Sequence, residues 1–392
     1  MAIPESVLTH IVEGKLEDAE SVLRTHLEAQ PLEWDAQLEL SRVYLALRRF
    51  DDAEKQLTSL LEHEDAGAEA LGIRGLWNEM QGRLESAQSD YRASLDAQPD
   101  QQAVLYNLGR LLVQGETLSE TQAAQAEALL SRSLELEPNH FQAQFELASL
   151  YTRQGRLEDA VEACRSTIEL NPLFIRAYLF LGTVFAQAGK LPEVIELYKA
   201  ALLNNPLAHI FRDELIRLYQ MNGQFEDAYQ LAVAQSNLRG ACEDYLQVGN
   251  LALQLEQPPV AEVAFLKAEQ VYPEGWRAPY NLGELYRGAQ QYDAAVEAFE
   301  RSLERMPTGF AHTGLGLVFF EQEGEESLNK AVEHFREAVN HGPSEGYILL
   351  NLAYALRKTD RQDEVNAYLQ QVDELLSDDD PTLKEIRSIL AD

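Results

Sequence analysis

Prolines recur in this chain every 34 residues, and a repeat period of that kind constrains a fold more tightly than any single motif. Pro138, Pro172 and Pro206 are 34 apart, Pro31 and Pro99 are separated by twice that distance, and Pro273 and Pro307 again by 34. From Pro206 to Pro273 is 67, a double step less one residue, with Gly240 standing where the intermediate proline would fall. Glycines keep the same beat. Gly155, Gly189 and Gly223 are 34 apart, in "YTRQGRLEDA", "FAQAGKLPEV" and "YQMNGQFEDA", each between two stretches with apolar residues at helical spacing. A glycine there supplies the left-handed turn that ends one helix, and the proline 17 residues later stops the next. The unit is helix, tight turn, helix, break.

Within the unit, "NLGELYRGAQQYDAAVEAFERSLERMP" (Asn281 to Pro307) carries glycine inside a helical pattern, although glycine there costs roughly 0.5–1 kcal/mol relative to alanine. The same site reads Ser41, Gly75, Gly109, Ala148, Gly182, Ile216, Gly249, Gly283, Gly316 and Ala353 along the chain. The second helix has its own small site: Ala53, Ala87, Ala126, Ala160, Val194, Ala228, Ala261, Ala295, Ala331 and Val365. The pairing predicts that two antiparallel helices cross closely where both side chains are small, and that the packing gained offsets the glycine penalty.

The segments "YNLGELY" (Tyr280 to Tyr286) and "AAVEAFERSLERMP" (Ala294 to Pro307) resemble the tetratricopeptide pattern W-x2-L-G-x2-Y, A-x3-F, P, and the resemblance covers nearly the whole chain. It implies an all-α, right-handed superhelical α-α solenoid. An abbreviated unit would occupy residues 1–33, ten fuller units 34–380, and a capping helix 381–392, with Asp379 or Asp380 at its N-terminus and Pro381 in the first turn. Two units are longer, around "GETLSETQ" and "EQEGEES", and both insertions are expected in the turn within the repeat.

The composition is that of a folded globular chain: 392 residues, 45% hydrophobic and 25% charged. Its formal net charge of −33 argues for solubility and against nucleic-acid or anionic-membrane binding. Cys164 and Cys242 lie far apart with no CxxC, so neither a disulfide framework nor a zinc-thiolate site is expected. "MAIPESVLTHIVEGKLEDAE" has no signal-peptide pattern and no apolar run reaches membrane-spanning length, which points to a cytoplasmic protein without membrane insertion.

The chain has no phosphate-binding loop, dinucleotide fingerprint, nucleophile elbow or H-E-x-x-H. Its eight histidines are scattered, and His334 with Glu333 and Glu337 reads as an ordinary surface helix. Every repeat assigns its buried places to apolar or small residues, so no acid is expected to gain a shifted pKa by burial. No catalytic residue, metal or cofactor is expected, and the chain reads as a non-enzyme.

What remains is the face that the first helices present. The candidate peptide-binding residues there are Tyr106, Asn107, Arg110, Phe145, Arg176, Phe180, Arg217, Asn250, Arg277, Tyr280, Asn281, Tyr347 and Asn351. Aromatic rings and arginines dominate interface hot spots, and an asparagine amide can hold an extended peptide backbone by donating and accepting at once. On that face nine Arg and Lys residues stand against ten Asp and Glu, so the acidity belongs mainly to second helices and turns. Family members that bind acidic chaperone C-termini use asparagines with basic residues in three successive first helices. Asn250 and Asn281 stand in roughly the two amide places here, but Phe310 and Gly314 occupy the basic ones, so a carboxylate clamp is not expected. The resemblance implies a scaffold or adaptor that captures a partner peptide or helix, as similar bacterial arrays do in assembling envelope or secretion machinery. The rival expectation is a regulatory subunit binding a catalytic or basic partner through its acidic convex face.

Overall fold

A computed structural model describes residues 3–62, 66–341, 346–359, 362–376 and 380–391. Among these residues the chain is all helix and turn, and it divides into two compact units, residues 1–208 and 209–392.

The first unit holds α1 (Glu5–Val12), α2 (Leu16–Ala29), α3 (Trp34–Ala46), α4 (Phe50–Leu60), α5 (Gly67–Met80), α6 (Leu84–Ala97), α7 (Gln102–Gln114), α8 (Glu120–Leu136), α9 (Phe141–Arg153), α10 (Leu157–Leu170), α11 (Ile175–Gln187) and α12 (Leu191–Asn204). The second holds α13 (His209–Met221), α14 (Phe225–Arg239), α15 (Cys242–Gln254), α16 (Pro258–Val271), α17 (Arg277–Gly288), α18 (Tyr292–Arg305), α19 (Gly309–Gln322), α20 (Glu325–His341), α21 (Gly346–Lys358), α22 (Gln362–Leu375) and α23 (Pro381–Ala391). The helices pack in sequential antiparallel pairs.

The turn within each pair has the expected chemistry. Gly155, Gly189 and Gly223 have φ of 73°, 71° and 72°. After Gly155, the N–H of Arg156 reaches back to the carbonyl of Tyr151 at 2.9 Å, closing the last carbonyls of α9. Where the period lacks glycine, Arg48, Glu256 and Gln290 take the same left-handed conformation, with φ of 57–58°. Pro172 and Pro206 lie two residues beyond the ends of α10 and α12, and Gly240, at φ 65°, ends α14 by a left-handed turn in place of the missing proline.

The small site in the first helix is not opposed by the small site in the second. A Cβ added to Gly283 would stand 2.6 Å from Phe299, one on Gly249 2.3 Å from Phe265, one on Gly182 2.3 Å from Tyr198, and one on Gly75 2.5 Å from Tyr91. Each ring lies one helical turn beyond the alanine or valine assigned as counterpart. The glycine therefore makes room for an aromatic ring rather than for a close contact of two small residues. In the unit with Ile216 the residue at the same offset is Ala232, and both are fully buried, so the volume is shared the other way round.

Both insertions lengthen the second helix of their unit, since α8 and α20 each run 17 residues where α18 runs 14, but only the first also lengthens the turn. Around residues 115–119 the turn lengthens, and Ser119 opens α8 with a capping box: its hydroxyl accepts the Gln122 N–H at 3.2 Å while its own N–H donates to Gln122 Oε1 at 3.0 Å. The second insertion is not in the turn. It is taken up within α20. The final helix, α23, buries Leu383, Ile386 and Ile389 in one apolar cluster with Leu349, Leu352, Val365 and Val372. Asp380 accepts the Thr382 N–H at 2.8 Å at its start; Asp379 lies outside the described residues.

Candidate functional site

The second unit holds a pocket of ≈ 660 Å³ lined by three successive first helices and the end of α14. Asp213 and Gln220 come from α13, Arg239 from α14, Glu243, Leu246, Gln247 and Asn250 from α15, and Arg277, Tyr280 and Asn281 from α17, with Trp276 immediately before it. Four sequence-predicted residues thus meet here: Asn250, Arg277, Tyr280 and Asn281. The amides of Asn281 and Asn250 face each other across α17 and α15, Asn281 Nδ2 donating to Asn250 Oδ1 at 3.4 Å. That contact leaves donors on Asn250 and an acceptor on Asn281 for a peptide backbone.

A ring cluster borders the amides. Trp276 lies parallel to Phe310 at 6.4 Å between centroids, and Tyr280 stands edge-on to both, at 6.0 and 6.3 Å. Burial, reinforced by the charge of Glu284, pushes the Tyr280 phenol up to about 12, so it remains a hydrogen-bond donor across the physiological range. The Arg277 guanidinium lies 5.7 Å over the Trp276 ring and has no carboxylate within ion-pairing distance among the described residues.

Arg239, one of the lining residues, is held by a buried acid, Asp244, that the sequence does not single out. Asp244 is 1% exposed. Burial opposes its charge, but Arg239 Nε at 2.9 Å, the Ala241 N–H at 3.0 Å and Gln235 Nε2 at 3.1 Å outweigh it and hold the carboxyl below the usual range.

The remaining predicted residues of this unit stand outside the pocket. Arg217 is exposed and paired to Glu214 at 2.7 Å, and Tyr347 and Asn351 lie on α21, the tyrosine exposed.

In the first unit Tyr106, Asn107 and Arg110 lie on α7, Phe145 on α9, and Arg176 and Phe180 on α11. Phe145 is buried, edge-on to Phe174 at 5.2 Å and to Phe180 at 5.4 Å, with Arg176 5.1 Å over its ring. Arg110 pairs with Glu79. Glu146, between the arginines of α7 and α11, is 6% exposed, and burial raises its pKa against the pull of Arg110 and Arg176. Glu146, Asp90 and Asp244 together overturn the expectation that buried places hold only apolar or small residues.

Trp276 was missed because it precedes its helix. A signal existed: His140, Phe174 and Trp276 each stand immediately before a first helix, and each contacts a ring on a first-helix face. The histidines are also not all scattered. His312 Nδ1 is 3.2 Å from His334 Nδ1, and the His312 ring is stacked 5.6 Å from that of His341. Burial, followed by the neighbouring imidazole, holds both His312 and His334 below the ordinary histidine value.

Two family models, each described as tetratricopeptide repeat, match this sequence: one at residues 80–121, 118–173, 154–209 and 246–310, the other at 11–75. The chain belongs to the tetratricopeptide repeat family. No curated protein matches it in sequence. Among solved structures, yeast Tom70 is similar at 15% identity over 99% of this chain and 94% of that one, with a TM-score of 0.44. A tetratricopeptide repeat protein from Parabacteroides merdae is similar at 20% identity over 61% and 93%, at 0.40. The Cut9–Hcn1 hetero-tetramer of the APC/C is similar at 14% identity over 98% and 82%, at 0.39. Tetratricopeptide repeats in general form protein-interaction scaffolds, which supports protein as the class of partner. No helix among the described residues is long and apolar enough to cross a membrane.

Proposed function

We propose that this tetratricopeptide repeat protein is an adaptor that captures an extended segment of a partner protein in the pocket of its second unit. The observation that carries the reading is the convergence on one pocket of the Asn250–Asn281 amide pair, Arg277, which has no ion-pair partner among the described residues, and the Trp276 and Tyr280 rings, with Phe310 packed against both rings. The amides suit a peptide backbone, the rings suit an apolar side chain, and Arg277 suits a carboxylate of the segment. Asp213 and Glu243 on the neighbouring helices favour a basic residue in the same segment.

The test is capture of partners from native lysate by wild-type and Arg277→Ala/Asn281→Ala bait, at physiological and high salt, identified by mass spectrometry. Arg277 is exposed and Asn281 half-buried, and circular dichroism with thermal melting checks that the variant keeps the wild-type fold. The expected result is loss of the specific partners by the variant, with affinity reduced about tenfold or more, while wild-type binding survives salt. Retention of all partners by the variant, combined with their removal by salt, would instead identify the acidic outer surface as the working face.

A further inference from the structure

We propose that His312, Glu337 and His341 form a binding site for a zinc-type divalent cation that ties α19 to α20. A ring nitrogen of His312, a ring nitrogen of His341 and a carboxylate oxygen of Glu337 lie within 4.8 Å of one another. His341 Nε2 and Glu337 Oε2 are already 3.4 Å apart. Ligand atoms around a tetrahedral zinc ion, each about 2.0–2.2 Å from the metal, are about 3.3–3.5 Å from one another. The remaining closure is within reach of side-chain rotation, because Glu337 and His341 are both exposed.

The local structure explains the convergence. Glu337 and His341 are one helical turn apart on α20, so they share a face. His312 comes from the antiparallel α19 across the crossing. His334, a further turn back on α20, engages His312 through the Nδ1–Nδ1 hydrogen bond, and Phe319 stacks on His334 at 5.5 Å to hold that ring. In the tautomer in which His312 Nδ1–H donates to His334 Nδ1, the lone pair of His312 Nε2 is left for the cation. Metal-ligating imidazoles are characteristically oriented by such a contact at the other nitrogen. His334 is in this sense a positioning residue.

Two imidazoles and a carboxylate favour zinc, cobalt, nickel or copper over magnesium and calcium, which prefer oxygen. That preference separates this site from the diffuse cation attraction of an acidic protein. The three protein ligands leave a fourth position for water or for a side chain of a partner.

The experiment uses the full chain, stripped with chelator and titrated with Co²⁺ in excess Mg²⁺, reading the visible d–d absorption, with Zn²⁺ isothermal titration alongside. One saturable site per chain with tetrahedral-type cobalt bands is expected, weakened at least tenfold in His341→Gln and in Glu337→Gln. His341 and Glu337 are exposed, so circular dichroism and metal-free melting should match wild type in both variants. His334→Phe is expected to weaken binding less than either ligand variant, with the cobalt bands altered in shape rather than lost. Absence of cobalt bands in wild type would overturn the site, as would bands that persist at full strength in both ligand variants.

Discussion

Two buried carboxylates, Asp244 and Glu146, show opposite ways in which a residue can sit inside a repeat. Asp244 is held charged by Arg239, Gln235 and a backbone N–H, and its pKa is lowered. It contributes stability above the unfolded carboxylate range that is lost as pH falls through its lowered value. Asp244→Asn is expected to destabilise the second unit by about 2–4 kcal/mol at neutral pH, because Arg239 and Gln235 then face a poorer acceptor; chemical denaturation with an acid pH series measures this. Glu146 has the opposite sign. Its pKa is raised by burial, so its charged form is disfavoured in the fold at neutral pH, and the penalty is relieved as pH falls toward the carboxylate range. Glu146→Gln is therefore expected to stabilise the first unit by up to about 1 kcal/mol, with the gain vanishing in acid. A loss of stability at pH 7 would show that its attraction to Arg110 and Arg176 outweighs desolvation.

At the scale of the helix pair, the glycine and the ring facing it form one packing unit. Gly283 lies beneath Phe299, which is fully buried and also presses within 2.4 Å of where a Cβ on Gly314 would stand. One ring thus occupies the space above two glycines, on α17 and α19. Gly283→Ala is expected to destabilise by about 1–3 kcal/mol through overpacking, despite the better helix propensity of alanine. Adding Phe299→Leu should recover part of that loss. A double-mutant cycle on thermal melting checks it, and strictly additive effects would mean that the two side chains do not compete for the same space.

For the whole molecule the governing quantity is the net charge of −33. Many arginines are already committed to local pairs, such as Arg287 with Glu284 at 2.9 Å and Glu321 at 2.7 Å, so the surplus acid repels itself over the surface. Raising monovalent salt from about 0.01 M to about 0.5 M, which shortens the screening length several-fold, is expected to raise the melting temperature. A fall would mean that the ion pairs outweigh the repulsion.

The 34-residue period, the left-handed turns at Gly155, Gly189 and Gly223, the proline stops and the Asp380 cap were legible in the chain itself. Each depends on residues within a turn or two of one another, where helical spacing and allowed backbone angles decide the outcome. Three of the predicted groove residues meet at the pocket for the same reason, since Arg277, Tyr280 and Asn281 share one face of α17; Asn250, a turn out of register on α15, joins them only through the packing of the two helices. Whether a ring or a small residue faces each glycine depended on the crossing of two helices, with partners 16 residues apart. The burial of Glu146 and Asp244, the contribution of Trp276 from outside its helix, and the meeting of His312 with His334 and His341 were likewise decided by tertiary packing. Such contacts follow from how far one helix turns against its neighbour, and no local periodicity encodes that rotation.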